Sequence, residues 1–373
     1  MTKIKTYVKQ NEEAGTLFFM PDISGFTKYV NDTEIDHSQH IITELLEILA
    51  DTTSVLDLTL LEIEGDAVFF FKFGDAPSLE KVLEQCKEMF IRFHAHLKRY
   101  ERDRTCQCGA CSTANKLTLK FVVHYGKATT IKIKTINKLL GKDVIVIHRL
   151  LKNDIDSHEY VLLSDNYMAT QNSSLKVLPT FDWIDLKEGA TEYKALGEIK
   201  YKFFSLHPLQ KDIIELSKPE NMPKYKHTIT LSTDVNTNQN QLYAILTNLE
   251  KKPDWMYGLR KVKKKDYKIE RIGSQHECLL PMTTLDVKSI QNNLSDGKLE
   301  YAEEISNMPF LPQMNQFFIM DKSGKDKTLL TLEITYNLSP FFGFVMHPLL
   351  KGMLRFVYTR SLRSLKKLGE LGD

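Results

Sequence analysis

Asp22-Ile23-Ser24-Gly25-Phe26-Thr27 and Gly65-Asp66-Ala67-Val68-Phe69-Phe70 decide how the first half of this chain folds. Each joins an acidic turn to an apolar strand signal. Thr16 to Met20 is a short apolar strand ending at Pro21-Asp22, and a β-rich stretch from Ser54 to Ile63 meets Val68 to Phe73 across Glu64-Gly65-Asp66, which predicts a hairpin. Two such strands side by side bring two carboxylates together, the arrangement needed to hold a divalent cation against a triphosphate.

Working outward, Ile41, Ile42, Leu45, Leu46, Ile48 and Leu49 repeat at helical spacing, and Leu79 to Tyr100 is helical. Leu117 to His124 and Ala128 to Ile133 read as a strand pair around Tyr125-Gly126-Lys127. Val144 to Leu151 has a helical apolar face, and Glu198 to Leu206 is a closing strand. This β-α-β-β-α-β order predicts a ferredoxin-like α/β sandwich within an α+β chain. The stretch from Pro208 to Pro223 turns polar and proline-bearing, as linkers do. Beyond it come a strand at Thr228 to Leu231, a helix at Asn240 to Leu249 and a Pro253-Asp254-Trp255 turn. Strand signals follow at Tyr267 to Ile272, His276 to Leu280, Leu285 to Ile290 and Thr328 to Tyr336, and a long helix runs from Pro348 to Leu368. The expected organisation is a first domain over 1–207, a linker over 208–223 and a second domain over 224–373.

A length of 373 residues fits two domains, and a net charge of +2 is too small to indicate a nucleic-acid partner. Met1 to Glu13 is polar, unlike a signal peptide, and no apolar run approaches a bilayer span, so a cytoplasmic location is expected. Five cysteines, three of them in Cys106-Gln107-Cys108-Gly109-Ala110-Cys111, do not form a disulfide framework in a chain of this length. Cys106, Cys108 and Cys111 offer three soft ligands for structural zinc, with Cys86, His94 or His96 nearest in sequence for a fourth; redox-active thiols are the other reading.

The two acidic turns, their order, their separation by a helix, and Gly141-Lys142-Asp143-Val144-Ile145-Val146-Ile147-His148-Arg149 together resemble the catalytic domain of class III adenylate and guanylate cyclases. The resemblance covers roughly residues 16 to 207. It implies that Asp22, Asp66 and the Ile23 carbonyl hold two Mg or Mn ions, and that Arg149 steadies the phosphate in the transition state. Lys194, before Ala195-Leu196-Gly197, falls at a phosphate-binding lysine. Glu62 stands where guanylate cyclases carry Glu and adenylate cyclases carry Lys, and Lys138 holds the partner position in base selection, so the pair leans toward GTP. Beside Lys132, Lys134 and Lys142, a solvated surface charge is the preferred reading of Lys138 from the residues themselves. The family's ribose-orienting asparagine is replaced by Ile145. A homodimer with composite sites is implied, metal carboxylates from one protomer and base and arginine positions from the other. His124 is expected in a core or turn. The cysteine loop, with the segments after it, also resembles a bacterial family of cyclase-related proteins without assigned activity. Two functions therefore stand: a cyclase acting on GTP or ATP, and a cyclase-fold module that binds nucleotide or dimerizes.

The order of elements after the linker, with its Pro-x-Trp turn, resembles the START-like, polyketide-cyclase-type helix-grip fold. That resemblance implies an apolar cavity for a lipid or hydrophobic small molecule; a filled α+β core is the alternative. The closing helix carries Leu350, Leu354 and Val357 on one side and Arg355, Arg360, Arg363, Lys366 and Lys367 elsewhere, so it is expected to bury its apolar side in its own domain. The Lys261 to Lys265 run is expected to be a solvated face.

Overall fold

The computed structural model describes residues 13–134, 136–171, 181–213, 225–265, 269–295, 297–308, 311–338 and 343–371. The chain divides into two compact units, one of Met1–Lys98 with Thr113–Leu216 and one of Arg99–Ser112 with Ser217–Asp373. Among the described residues no helix is long and apolar enough to cross a membrane.

The first unit is built on β1 (Ala14–Ser24), α1 (Phe26–Asp32), α2 (Ile35–Asp51), β2 (Thr59–Glu64), β3 (Ala67–Phe73) and α3 (Leu79–Asp103), whose end passes into the second unit. After α4 (Gly109–Thr113), which belongs to the second unit up to Ser112, come β4 (Thr118–Ile133), β5 (Ile136–Leu140), α5 (Lys142–Leu150), β6 (Tyr160–Ser164), α6 (Asp165–Met168), β7 (Lys187–Tyr193) and β8 (Gly197–Ser205). The strands form one sheet in the order β2-β3-β1-β4-β6-β8-β7, with β5 hairpinned onto the far end of β4. β1 is buried from Thr16 to Ser24 because it lies inside the sheet with both faces covered. Phe18, Met20, Phe69, Phe71, Val122 and Leu162 share one face with Val146, Ile147 and Leu150 of α5. Their alternates Leu17, Phe19, Val68, Phe70, Phe121 and Val123, also buried, face the opposite side.

Three local expectations change. β1 continues through Pro21 to Ser24, so Asp22 stands in a strand rather than a turn. Pro21 opposes Phe121 of β4, while registered pairs to β3 skip from Phe19 to Asp22; a residue without an N–H is tolerated in that gap. The expected turn at Tyr125-Gly126-Lys127 is absent, and β4 runs unbroken through it. A Cβ on Gly126 would lie 2.1 Å from Asp143 Cγ, so this glycine serves close approach of a side chain, not chain reversal. Strand β7, unforeseen, pairs with β8 at the sheet edge. Of the polar stretch after the sheet, His207–Asp212 forms a 3-10 turn with Leu209 buried, and 214–224 lies outside the described residues.

The second unit contains β9 (His227–Val235), α7 (Gln239–Thr247), α8 (Lys252–Trp255), β10 (Lys261–Lys264), β11 (Gln275–Leu279), β12 (Thr284–Ser295), β13 (Lys298–Met308), β14 (Leu311–Gly324), β15 (Lys327–Tyr336) and α9 (Gly343–Leu371). All seven strands pair antiparallel in the order β10-β11-β12-β13-β14-β15-β9. Lys261–Lys264 is thus an edge strand, where lysines discourage pairing with another chain; residues 266–268 of the strand expected nearby lie outside the description. Leu350, Leu354, Tyr358, Leu362 and Leu365 of α9 join Trp255, Phe318, Met320 and Leu332 in the core. That core also holds a polar seam. Lys252 Nζ donates to Glu303 at 2.6 and 2.8 Å and lies 3.1 Å from His276 Nε2, while the Tyr301 hydroxyl donates to Glu303 at 2.9 Å. A buried carboxylate is tolerated only with such partners.

Candidate functional site

Asp22 and Asp66 come together because β1 and β3 are neighbours in the sheet. Asp22 stands opposite Ala67, and the Ile23 N–H donates to the Asp66 carbonyl at 3.0 Å. Gly65 closes the β2–β3 turn at a φ of 65°, a conformation glycine adopts without strain. Asp22 is only 8 % exposed. Burial pushes its carboxyl up to about 6; the positive charge of Lys120 opposes the rise and the negative charge of Asp66 adds to it. Lys120 is paired with Asp22 across the β1–β4 ladder, its Nζ 3.6 Å from Asp22 Oδ2. Two carboxylates beside a backbone carbonyl are a hard-oxygen donor set that suits Mg2+ or Mn2+. Positive charge favours the ionised form of Asp22, and Lys120 already supplies part of it.

Helix α5 is seated by its first turn. Asp143 Oδ1 lies 3.0 Å from His124 Nε2, Asp143 Oδ2 accepts from the Lys127 N–H at 2.7 Å, and His124 Nδ1 lies 2.8 Å from Ser164 Oγ. The hydrogen bond to His124 holds the Asp143 carboxyl below its ordinary value against the opposing effect of burial. His124 is buried in this chain and does structural work, as the sequence suggested. At the other end, His148 Nδ1 is 3.3 Å from Glu64 Oε2, tying α5 to the hairpin that carries Asp66. Val146, Ile147 and Leu150 face the core; Ile145 and Arg149 are exposed. Among the described residues no carboxylate is paired with the Arg149 guanidinium.

Glu62 and Lys138 meet. Lys138 Nζ donates to Glu62 Oε2 at 2.7 Å, joining β5 to β2, and that hydrogen bond raises the lysine above its ordinary pKa. Lys138 is thus ion-paired while its side chain stays exposed. Lys194 is exposed in the turn between β7 and β8, and β4 and β6 stand between that hairpin and the strand of Asp22. The neighbouring Tyr193 hydroxyl donates to the Lys152 carbonyl at 3.2 Å, which brings this turn to the end of α5 that carries Arg149. One chain thus brings the Lys194 turn to the end of α5, a helix that itself packs against β1 and β3 through Val146 and Ile147.

Sequence reasoning missed Lys120. Its signal was available, since alternation along Leu117 to Val122 puts Lys120 on the face of Val122, beside whatever β1 presents there. The thiols also assemble. The sulfurs of Cys106, Cys108 and Cys111 lie within 4.8 Å of one another. Backbone N–H groups of Cys108 and Cys111 donate to the sulfurs of Cys106 and Cys108, each at 3.4 Å. The three residues nominated as a fourth ligand are engaged elsewhere. Cys86 is buried in α3, His94 Nε2 lies 3.2 Å from Thr118 Oγ1, and His96 Nε2 lies 2.8 Å from Glu44.

Residues 42–160 match a family described as "Protein of unknown function (DUF2652)". Over 155 residues the chain is 32% identical to "Uncharacterized protein Rv2561/Rv2562" of Mycobacterium tuberculosis (strain ATCC 25618 / H37Rv), spanning 41% of this chain and 72% of that protein. Among solved structures, the guanylate cyclase domain of RhGC from Catenaria anguillulae in complex with GTP is 14% identical, with a TM-score of 0.37 over 52% of this chain and 98% of that one. The adenylyl cyclase CyaB from P. aeruginosa is 16% identical, with a TM-score of 0.38 over 53% and 96%.

Proposed function

We propose, for a chain that belongs to the DUF2652 family, that the first unit is a nucleotidyl cyclase-like module that takes GTP in preference to ATP and works as a homodimer. The observation that carries this reading is the approach of Asp66, in the β2–β3 turn, to Asp22 of the adjoining strand β1, close enough for one charge to act on the other. Asp22, Asp66 and the Ile23 carbonyl would hold two Mg2+ or Mn2+ ions. When bound, such ions lower the pKa of the ribose 3′-hydroxyl and offset charge on the α-phosphate it attacks.

The other roles follow from the chemistry of each side chain. Arg149, exposed and without a carboxylate partner among the described residues, donates two hydrogen bonds to the phosphate, and Lys194 adds charge beside it. Glu62 accepts from guanine N1 and N2 while Lys138 donates to guanine O6. Guanine can enter this ion pair without stranding either charge; adenine would turn its N6 amine toward an ammonium. Since β4 and β6 separate the hairpin of Lys194 from the strand of Asp22 in one chain, a complete site would draw on two copies.

A second reading has its own support. Ile145 donates nothing to the ribose, and loss of one such contact costs on the order of a hundredfold in rate. Lys120 beside Asp22 also competes with a cation. Both favour a module that keeps nucleotide binding without turnover. Purified protein incubated with GTP or ATP and Mn2+ is expected to yield cyclic nucleotide, and the Asp66→Ala variant none. Binding without product in the wild type would leave the second reading.

For the second unit the proposal is a START-like helix-grip domain for a hydrophobic small molecule or lipid. Its support is the order of one strand, two short helices, six strands and a long helix packed into the same core. Organic extraction of the purified protein followed by mass spectrometry is expected to recover a stoichiometric apolar compound. An interior filled by its own side chains would return nothing.

A further inference from the structure

We propose that Cys106, Cys108 and Cys111 form a thiolate site for Zn2+ that fastens the Arg99–Ser112 segment into the second unit. The inference is independent of the nucleotide reading. It begins from the three sulfurs lying within 4.8 Å of one another. A tetrahedral zinc with bonds of about 2.3 Å to sulfur sets its ligands roughly 3.8 Å apart, so little movement closes the site. Three sulfurs also fit a disulfide poorly, because one thiol is left over.

The backbone supports the same chemistry. The N–H groups of Cys108 and Cys111 point at the sulfurs of Cys106 and Cys108, at 3.4 Å each. Such bonds fix sulfur positions in advance and stabilise negative charge on them, as a metal thiolate requires. Thiolates select zinc over the hard cations that suit Asp22 and Asp66, so the two sets of ligands do not compete for one ion. As zinc binds, each thiol releases its proton to solvent as its sulfur bonds the metal. A fourth position is left for a nitrogen or oxygen donor.

The placement of the cysteines gives the ion its role. Just before them, the chain is docked within the second unit: the Asp103 carbonyl accepts from the Ile272 N–H at 2.8 Å, Arg104 bridges Arg271, and Thr105 Oγ1 donates to the Glu270 carbonyl at 2.8 Å. The Glu270 side chain in turn accepts from Ser289, whose hydroxyl lies 3.1 Å from that of Tyr301. A metal knot starting one residue after Thr105 therefore holds a docked segment that abuts the polar seam of the core.

The test uses the full chain purified without added metal. Elemental analysis is expected to give about one zinc per chain. Replacement by Co2+ is expected to give sulfur-to-cobalt charge-transfer absorption in the near ultraviolet and the strong visible bands of a tetrahedral ion. Cys108→Ser and Cys111→Ser should lose both, and Cys86→Ser and Cys278→Ser should keep them. Chelation should increase hydrogen exchange across residues 99–112 and 270–274. Wild-type protein with reduced thiols that takes up neither zinc nor Co2+ overturns the proposal whether or not the variants fold, as does a disulfide between any two of the three.

Discussion

Lys120 Nζ lies 3.6 Å from Asp22 Oδ2, across a directly paired position of β1 and β4. A lysine so placed stands in for part of the charge that a divalent ion would bring. The Lys120→Met variant is expected to bind Mn2+ more tightly, on the order of tenfold, because the cation no longer has to displace an ammonium. Titration in the absence of nucleotide, read by electron paramagnetic resonance of free Mn2+, isolates the effect. Unchanged affinity would mean that Asp22 is not a ligand.

The pair of Glu62 and Lys138 is expected to set base preference. In Glu62→Gln the carboxylate that accepts two guanine protons is gone, so discrimination in favour of GTP should fall about tenfold or more, while the partly exposed ion pair adds little to stability. Competition between GTP and ATP for one fluorescent nucleotide measures the ratio. An unaltered ratio would remove both residues from base selection.

Gly126→Ala should be far more damaging than its surroundings in a strand suggest. The added methyl would meet Asp143 Cγ at 2.1 Å and force apart the contact of Asp143 with His124 and the Lys127 N–H. About 2–4 kcal/mol of destabilisation is expected from overpacking with loss of a buried hydrogen bond. Denaturant unfolding supplies the number, with Gly258→Ala, where no atom lies within 4 Å of the added carbon, as the comparison for conformational strain alone.

Acid should weaken the second unit through His276. Burial first, and then the charge of Lys252, push its pKa down to about 3. The unfolded chain takes up this proton near 6.5 and the folded chain only near 3, so unfolding is favoured progressively as pH falls through that window, and the contribution is intact above it. Between pH 7 and pH 5 the loss is about 2 kcal/mol. Fluorescence of Trp255 in a Trp183→Phe background follows this unit, and His276→Gln is expected to flatten the pH dependence.

What the sequence made legible depended on how cleanly burial alternates. β1 and β3 are apolar on both sides and end in acids, so the approach of Asp22 and Asp66 was readable from two short stretches. β13 and β14 were not. Glu303, Asn315 and Gln316 are buried in them, and inward polar side chains at strand positions erase the apolar period that marks a strand. Lys187-Glu188-Gly189-Ala190-Thr191-Glu192-Tyr193 buries only Thr191 and Tyr193, an edge strand with almost no pattern to detect. Gly126 misled for a different reason. Glycine marks turns and close approaches alike, and only the position of Asp143 in space separates the two. The thiols were legible as a cluster from their spacing, whereas their partners lay in the packing.

β4 and β6 stand between the strand of Asp22 and the β7–β8 hairpin that turns at Lys194, and the proposed dimer would divide the machinery between chains. Two crippled proteins should then repair each other. Asp66→Ala and Arg149→Ala, each inactive alone, would on mixing form hybrids in which one of the two clefts inherits only intact parts, restoring about a quarter of the wild-type rate if subunits exchange at random.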